Sequence, residues 1–258
     1  MSRDAGAPAS ARDASRHAEP WVYEAGGKRV LHFSISAIQS RVDLRHPDRL
    51  DLEYTRLMMG FLLWQPRPER IAMIGLGGGS LARFCHRHLP QAHLRVVENN
   101  PHVIALRERF EVPPDGERFS VIEAEGASFV RFVPKRFDVL LVDGYDIDGL
   151  PPSLGTQRFF GHCAQALHPG GLFVMNLCAP STRKAQVIER IRRAFGGKAL
   201  CVDDSEALNS IVLATNGHTL STRPADAPAR PAGFDAAAWA SLRGAMARVR
   251  AAWHREFG

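Results

Sequence analysis

From residue 70 onward, short apolar runs alternate with longer amphipathic stretches. Ile71-Ala72-Met73-Ile74 predicts a strand, and Leu81, Phe84, Cys85 and Leu89 then recur at helical spacing. Leu94-Arg95-Val96-Val97 predicts a second strand ending at Glu98. Asn100 can cap the next helix, with Pro101 in its first position. Ser120-Val121-Ile122 and Val139-Leu140-Leu141-Val142 predict two more strands, with a short helix through Phe129 between them. Phe159, Phe160, Cys163 and Leu167 mark a helix that stops before Pro169-Gly170-Gly171, and Leu172-Phe173-Val174-Met175 follows as the fifth strand. Val187, Ile188, Ile191 and Phe195 share one helical face, terminated by Gly196-Gly197. Residues 199–202 and 211–215 close the series as two consecutive strands. Strands joined by crossover helices imply a doubly wound parallel sheet. The predicted fold class is α/β: a Rossmann-like, seven-stranded, mostly parallel sheet with a small N-terminal β unit.

The ends read differently. Residues 1–20 lack hydrophobic periodicity and are rich in Ala, Ser, Arg and Asp, the composition of a disordered leader. Residues 21–64 form the β unit and a connecting helix. Trp21-Val22-Tyr23 and Val30-Leu31-His32-Phe33 flank Gly26-Gly27, a hairpin signal. Val42-Asp43-Leu44 and Leu50-Asp51-Leu52 around His46-Pro47-Asp48 predict a second hairpin, and residues 54–64 a helix. Residues 65–216 are the Rossmann-like domain, and 217–233, rich in Pro, Ala and Thr, a linker. In 234–258, Trp239, Leu242, Met246, Val249 and Trp253 form an amphipathic stripe that packs on the domain or on a second subunit.

Composition narrows the class. The hydrophobic fraction of 45% supports a sizeable core, and no apolar run reaches membrane-span length. The start has no apolar h-region, so no signal peptide is expected. Four scattered cysteines without metal-ligand spacing suggest a cytoplasmic protein with reduced thiols. The net charge of +6 is spread over the ends and helix faces, with no aromatic-interleaved basic stripe; no nucleic-acid or membrane partner is expected. His86 and His88 stand two apart on a predicted helix and share no face, so no metal is expected.

The candidate chemistry lies at the strand ends. Gly75-Leu76-Gly77-Gly78-Gly79 turns from strand into helix, where glycines let a ligand approach the backbone closely. Glu98, at the end of the next strand, is placed to bind both ribose hydroxyls of a nucleoside. The loop fits the dinucleotide fingerprint poorly at its third glycine, which disfavours a nicotinamide cofactor. Glu125 either accepts a hydrogen bond from an adenine amino group or is a solvated turn residue. In Asp143-Gly144-Tyr145-Asp146-Ile147-Asp148-Gly149, three acids follow the fourth strand, where α/β enzymes place their chemistry. Such carboxylates can hold a cationic amine and take its proton; the alternatives are an Asp-Gly-Pro turn or a divalent-cation loop. A catalytic role suits Asp143 and a substrate-binding role Asp146.

Taken together, residues 30–215 resemble the spermidine synthase family of aminopropyltransferases. The resemblance rests on Ile74-Gly75-Leu76-Gly77-Gly78-Gly79, Val97-Glu98, Glu125-Gly126, residues 137–146, and Phe159-Phe160 through Pro169-Gly170-Gly171. Gln39 and Asp51-Leu52-Glu53-Tyr54 extend it into the β unit. It implies transfer of an aminopropyl group from decarboxylated S-adenosylmethionine to a small polyamine such as putrescine. Asp143 would be the proton acceptor, and Asp146 and Tyr54 would bind the amine. Gly75, Gly77, Glu98, Glu125, Gly126 and Gln39 would hold the donor. It also implies a homodimer formed through the β unit. The chain departs from the family at three places: Gly78 replaces the usual loop Asp, Thr55 a His or Gln, and Asp146-Ile147 an Asp-Pro. The nucleoside half of the pattern is thus retained and the amine half altered. Two alternatives follow: a methyltransferase using S-adenosylmethionine itself, and a non-catalytic nucleoside-binding homologue.

Overall fold

The computed structural model describes residues 17–34, 37–206, 208–226 and 228–258. The expected leader, 1–20, therefore lies outside the described residues except for its last four.

Short apolar runs, bounded by Gly, Pro and charged positions, form the strands of the main sheet. They are β4 (Arg70–Ile74), β5 (His93–Glu98), β6 (Phe119–Glu123), β7 (Phe137–Val142), β8 (Leu167–Leu177), β9 (Ala199–Asp203) and β10 (Ser210–Thr215). Their order is β6-β5-β4-β7-β8-β10-β9. The first five are mutually parallel, and β10 runs antiparallel to both β8 and β9. The order reverses beside β4, between β5 and β7, the switch point at which open α/β sheets bind ligands.

Strand alternation splits the core into two. Ile71, Met73, Val139, Leu141, Leu172 and Val174 face one cluster, whereas Ala72, Ile74, Leu140, Val142, Phe173 and Met175 face the other. Helices Gly126–Arg131, Gln157–Ala166 and Ser181–Ala194 bring Val130, Phe159, Phe160, Val187 and Ile191 to the second cluster. The first is covered by helix Ser80–His88, by residues 53–63 and by the C-terminal segment 236–257. Leu57, Met58, Met59 and Phe61 pack there with Leu242, Met246, Val249 and Trp253. The C-terminal stripe thus packs on the domain. Gly60 lets these two segments meet: a Cβ there would lie 2.9 Å from Val249 Cγ2.

The N-terminal sheet is a meander of β1 (Trp21–Ala25), β2 (Lys28–Ser34) and β3 (Ala37–Asp43). Gly26 and Gly27, at φ of 58° and 75°, make the tight turn expected of them. The second predicted hairpin is corrected. Residues 50–52 form no strand, and Val42 pairs with Arg29 of β2 instead. Leu50 is buried in the core, so a strand-like run serves as a packing anchor. Three boundaries also shift. The predicted helix 54–64 is α-helical over Glu53–Met58 and 3₁₀ over Met59–Leu63. The C-terminal stripe divides into Ala236–Ser241 and Arg243–Phe257. Pro169-Gly170-Gly171 lies inside β8, where a register shift against β7 marks a bulge and Gly170 has φ of 80°.

Candidate active site

At the carboxyl ends of β4, β5, β7 and β8 opens a cleft of about 1020 Å³. It is lined by Tyr54, Gly75, Gly77, Glu98, Glu125, Gly126, Asp143 and Asp146, among others. Gln39 belongs to β3, but its side chain lies outside the described residues.

The glycine loop forms the floor. Gly75, Gly77 and Gly79 have φ of 94°, 52° and 68°, conformations that favour glycine. A Cβ on Gly75 would collide with the Asp143 carbonyl, so absence of a side chain there brings β4 and β7 together. Gly126 does the same for the next turn, since its Cβ would fall 2.5 Å from Ile74 Cγ2. Gly78 stands with an ordinary negative-φ backbone in a filled space: a Cβ would meet Ser40 Oγ at 2.6 Å and Phe110 Cδ1 at 3.0 Å.

Glu98 is tied to this loop. Its carboxylate accepts from Leu76 N at 2.8 Å and Asn100 N at 2.9 Å. Burial raises its pKa, and the N–H groups of Leu76, Asn100 and Asn99 pull it back. Glu125 is exposed at the cleft edge and accepts from Asn99 Nδ2 at 3.0 Å.

Asp143 lies at the end of β7, opposite the glycine loop. Its two oxygens accept from Asn176 Nδ2 at 2.9 Å and Tyr54 Oη at 3.2 Å. Burial pushes its pKa up, while both hydrogen bonds act in the other direction. Burial and the Asp143 charge hold the Tyr54 phenol well above its ordinary value, so it serves as a neutral donor. Tyr145 braces the same wall: its hydroxyl donates to Asn176 O at 2.8 Å and accepts from Cys178 N at 2.7 Å. Asp146 faces the cleft and is exposed; it also holds its own turn by accepting from Asp148 N at 2.9 Å. Asp146 therefore lines the cleft and also forms part of its own turn.

Asn176 and Tyr145 were not singled out from the sequence. The pairing of Val142 with Met175 in parallel register sets the next residues, Asp143 and Asn176, side by side. That register was the available signal. The loop before β10 also enters the site, with Asp204 and Glu206 on the cleft wall. Glu53 anchors this loop by accepting from Ser205 N at 3.1 Å, which fixes the helix start that carries Tyr54. Among the described residues, no group of three or more His, Cys, Asp or Glu can hold a metal ion, and no helix is long and apolar enough to cross a membrane.

This fold and cleft define a Rossmann-like domain of the methyltransferase-like type, joined to a small β unit that supplies one wall of its site. A model of the spermine/spermidine synthase domain matches residues 52–199. The chain is 41% identical over 194 residues to a polyamine aminopropyltransferase of Chromobacterium violaceum, covering 75% of this chain and 74% of that protein. It is 39% identical over 198 residues to the polyamine aminopropyltransferase of Neisseria meningitidis serogroup A, covering 76% and 75%. The crystal structure of a probable spermidine synthase from Corynebacterium glutamicum ATCC 13032 superposes with a TM-score of 0.67 at 21% identity, covering 76% of each chain. The chain belongs to the spermine/spermidine synthase family.

Proposed function

We propose that this protein is an aminopropyltransferase of polyamine biosynthesis, using decarboxylated S-adenosylmethionine as donor and a small polyamine as acceptor. The observation that carries the reading is Asp143: a half-buried carboxylate beside the nucleoside loop, oriented by Tyr54 and Asn176. The relatives' shared name, polyamine aminopropyltransferase, supports the same reaction.

In this reading Glu98 binds the ribose, Glu125 the adenine edge, and the backbone of Gly75 and Gly77 admits the sulfonium end. An alkylammonium has a pKa near ~10.4 and no free lone pair until deprotonated. Asp143 accepts that proton. The amine nitrogen then attacks the aminopropyl carbon next to sulfur, the new C–N bond forms as the C–S bond breaks, and methylthioadenosine leaves. Tyr54 keeps the carboxylate aimed, and Asp146 holds the positive charge of the acceptor. The same reading includes a homodimer formed through the N-terminal sheet, on which Trp21 and Tyr23 are 44% and 54% exposed.

Incubation with the decarboxylated donor and putrescine, spermidine or cadaverine tests the reaction. Amine-dependent release of methylthioadenosine is expected. Asp143→Asn lowers kcat by about 10²- to 10⁴-fold, the usual contribution of a general base. No product from any amine, with Asp143→Asn indistinguishable from the parent, would overturn the reading.

One observation favours a second donor. The loop offers no carboxylate at Gly78 to attract the donor's ammonium, while Arg41 lines the cleft near the neighbouring Ser40. An intact S-adenosylmethionine carboxylate would have to share that guanidinium with Asp51, to which Arg41 Nε already donates. Calorimetry with both donors separates the cases, because equal or tighter binding of S-adenosylmethionine would favour methyl transfer.

A further inference from the structure

The nucleoside end of the cleft has a wall outside the Rossmann-like domain. His17 and Ala18, upstream of the first strand, line the cleft with Glu98, Asn99, Asn100 and Glu125. They are held there by a specific contact. Asn100, 6% exposed, donates from Nδ2 to Ala18 O at 2.9 Å. The same residue caps the following helix, its Oδ1 accepting from His102 N at 3.0 Å, and its own N–H donates to Glu98 Oε1. One side chain therefore couples the segment to the carboxylate at the end of β5. Pro20, also buried, fixes the chain just beyond.

The chemistry of Glu98 is incomplete without a ligand. Its oxygens take N–H groups from the loop and from the β5 end, on the protein side. An ionised carboxylate has about four acceptor sites, so capacity remains toward the cleft. His17 stands on that side, lining the cleft together with Glu98. A ring in this position can meet the hydroxyls that Glu98 binds, acting as donor or acceptor through either nitrogen.

We infer that His17 and Ala18 complete the nucleoside site, His17 contacting the ribose held by Glu98 and the Asn100-anchored backbone of Ala18 closing the mouth beside it. This rests on the reading that the cleft takes a nucleoside.

Methylthioadenosine is the probe, its affinity measured by calorimetry on the full chain, on His17→Ala, on Asn100→Ser and on a chain lacking residues 2–18. Serine keeps the helix cap but loses the Nδ2–H donor. Loss of one hydrogen bond predicts about threefold to tenfold weaker binding for His17→Ala and for Asn100→Ser. The truncated chain weakens at least as much, and the KM for the acceptor amine does not change. Backbone amides of residues 18 and 19 gain hydrogen-exchange protection on nucleoside binding in the parent and not in Asn100→Ser. Parent-like affinity in both His17→Ala and the truncated chain would overturn the inference. Failure of the parent itself to bind methylthioadenosine would instead remove the nucleoside reading beneath it, so the two failures are distinguishable.

Discussion

Burial sets the protonation chemistry of Asp143. Desolvation raises its folded-state pKa above that of the unfolded chain, against the opposing hydrogen bonds from Asn176 and Tyr54. A carboxylate raised in this way is most favourable to folding below its unfolded pKa, near ~3.9, and that contribution is lost as pH rises through the folded value. Asp143→Asn is therefore expected to be more stable than the parent at neutral pH, with the gain vanishing toward pH values below ~3.9. Thermal melts of the two proteins across this range check the sign. The same raised pKa places the acid limb of kcat above the ordinary Asp range, since only the ionised form can accept a proton. Gly75 carries a different constraint. Alanine there adds a Cβ into the Asp143 carbonyl at φ of 94°. Backbone strain and overpacking together predict a loss of about 2–4 kcal/mol, measured by denaturant unfolding. Gly78→Asp tests the altered loop position itself. Ser40 Oγ must turn away and Phe110 must yield, so the single substitution costs about 1–3 kcal/mol and Gly78→Asp with Ser40→Gly less.

At the scale of elements, the C-terminal helix Arg243–Phe257 is part of the core that supports the site. Trp253, 6% exposed, packs in the cluster that contains Leu57 and Met58 and donates from Nε1 to Leu220 O at 2.7 Å. Trp253→Ala is expected to destabilise by about 3–5 kcal/mol, and Trp253→Phe by much less, because it removes the hydrogen bond but keeps most of the apolar volume. The difference between their unfolding midpoints separates packing from hydrogen bonding. This helix was legible in the sequence because Met246, Val249 and Trp253 recur at helical spacing, a stripe that Leu242 and Trp239 carry back into the preceding helix Ala236–Ser241. The main-sheet strands were legible because short apolar runs between turn residues have few other uses. The second hairpin failed for a related reason: Leu50 and Leu52 flank polar Asp51 as a strand would, yet Leu50 is simply an anchor in the core. The pairing of β3 was missed because Ala37-Ile38-Gln39-Ser40 alternates too weakly to reveal its partner. The candidate site followed the same division. Gly75, Glu98 and Asp143 stand at strand ends, where position implies exposure to a ligand. Asn176 became a site residue only through the register of β8 on β7, and Tyr145 only through a hydroxyl that bridges two backbone groups.

On the scale of the whole molecule, the cleft is assembled from distant parts of the chain. Tyr54 comes from the segment after the N-terminal sheet, Asp143 from the residue just after β7, and Asp204 from the loop before β10. Glu53 binds Ser205 and pairs with Arg248 at 3.5 Å, linking the Tyr54 segment, that loop and the C-terminal helix. The N-terminal sheet has a second requirement. β1 lies at its edge, with four of its five residues exposed. Trp21 is stacked on His32 at 4.6 Å, yet both it and Tyr23 present aromatic surface to solvent. An open edge with exposed aromatic rings is a liability that a second copy would relieve by pairing and burial. Sedimentation is therefore expected to show two chains for the parent, and a single chain when Trp21 and Tyr23 are both replaced by Glu, because buried like charges would face each other across the interface. Since neither residue lines the cleft, the monomeric variant should still bind methylthioadenosine. A parent that sediments as one chain would remove the dimer from the proposed function while leaving its chemistry intact.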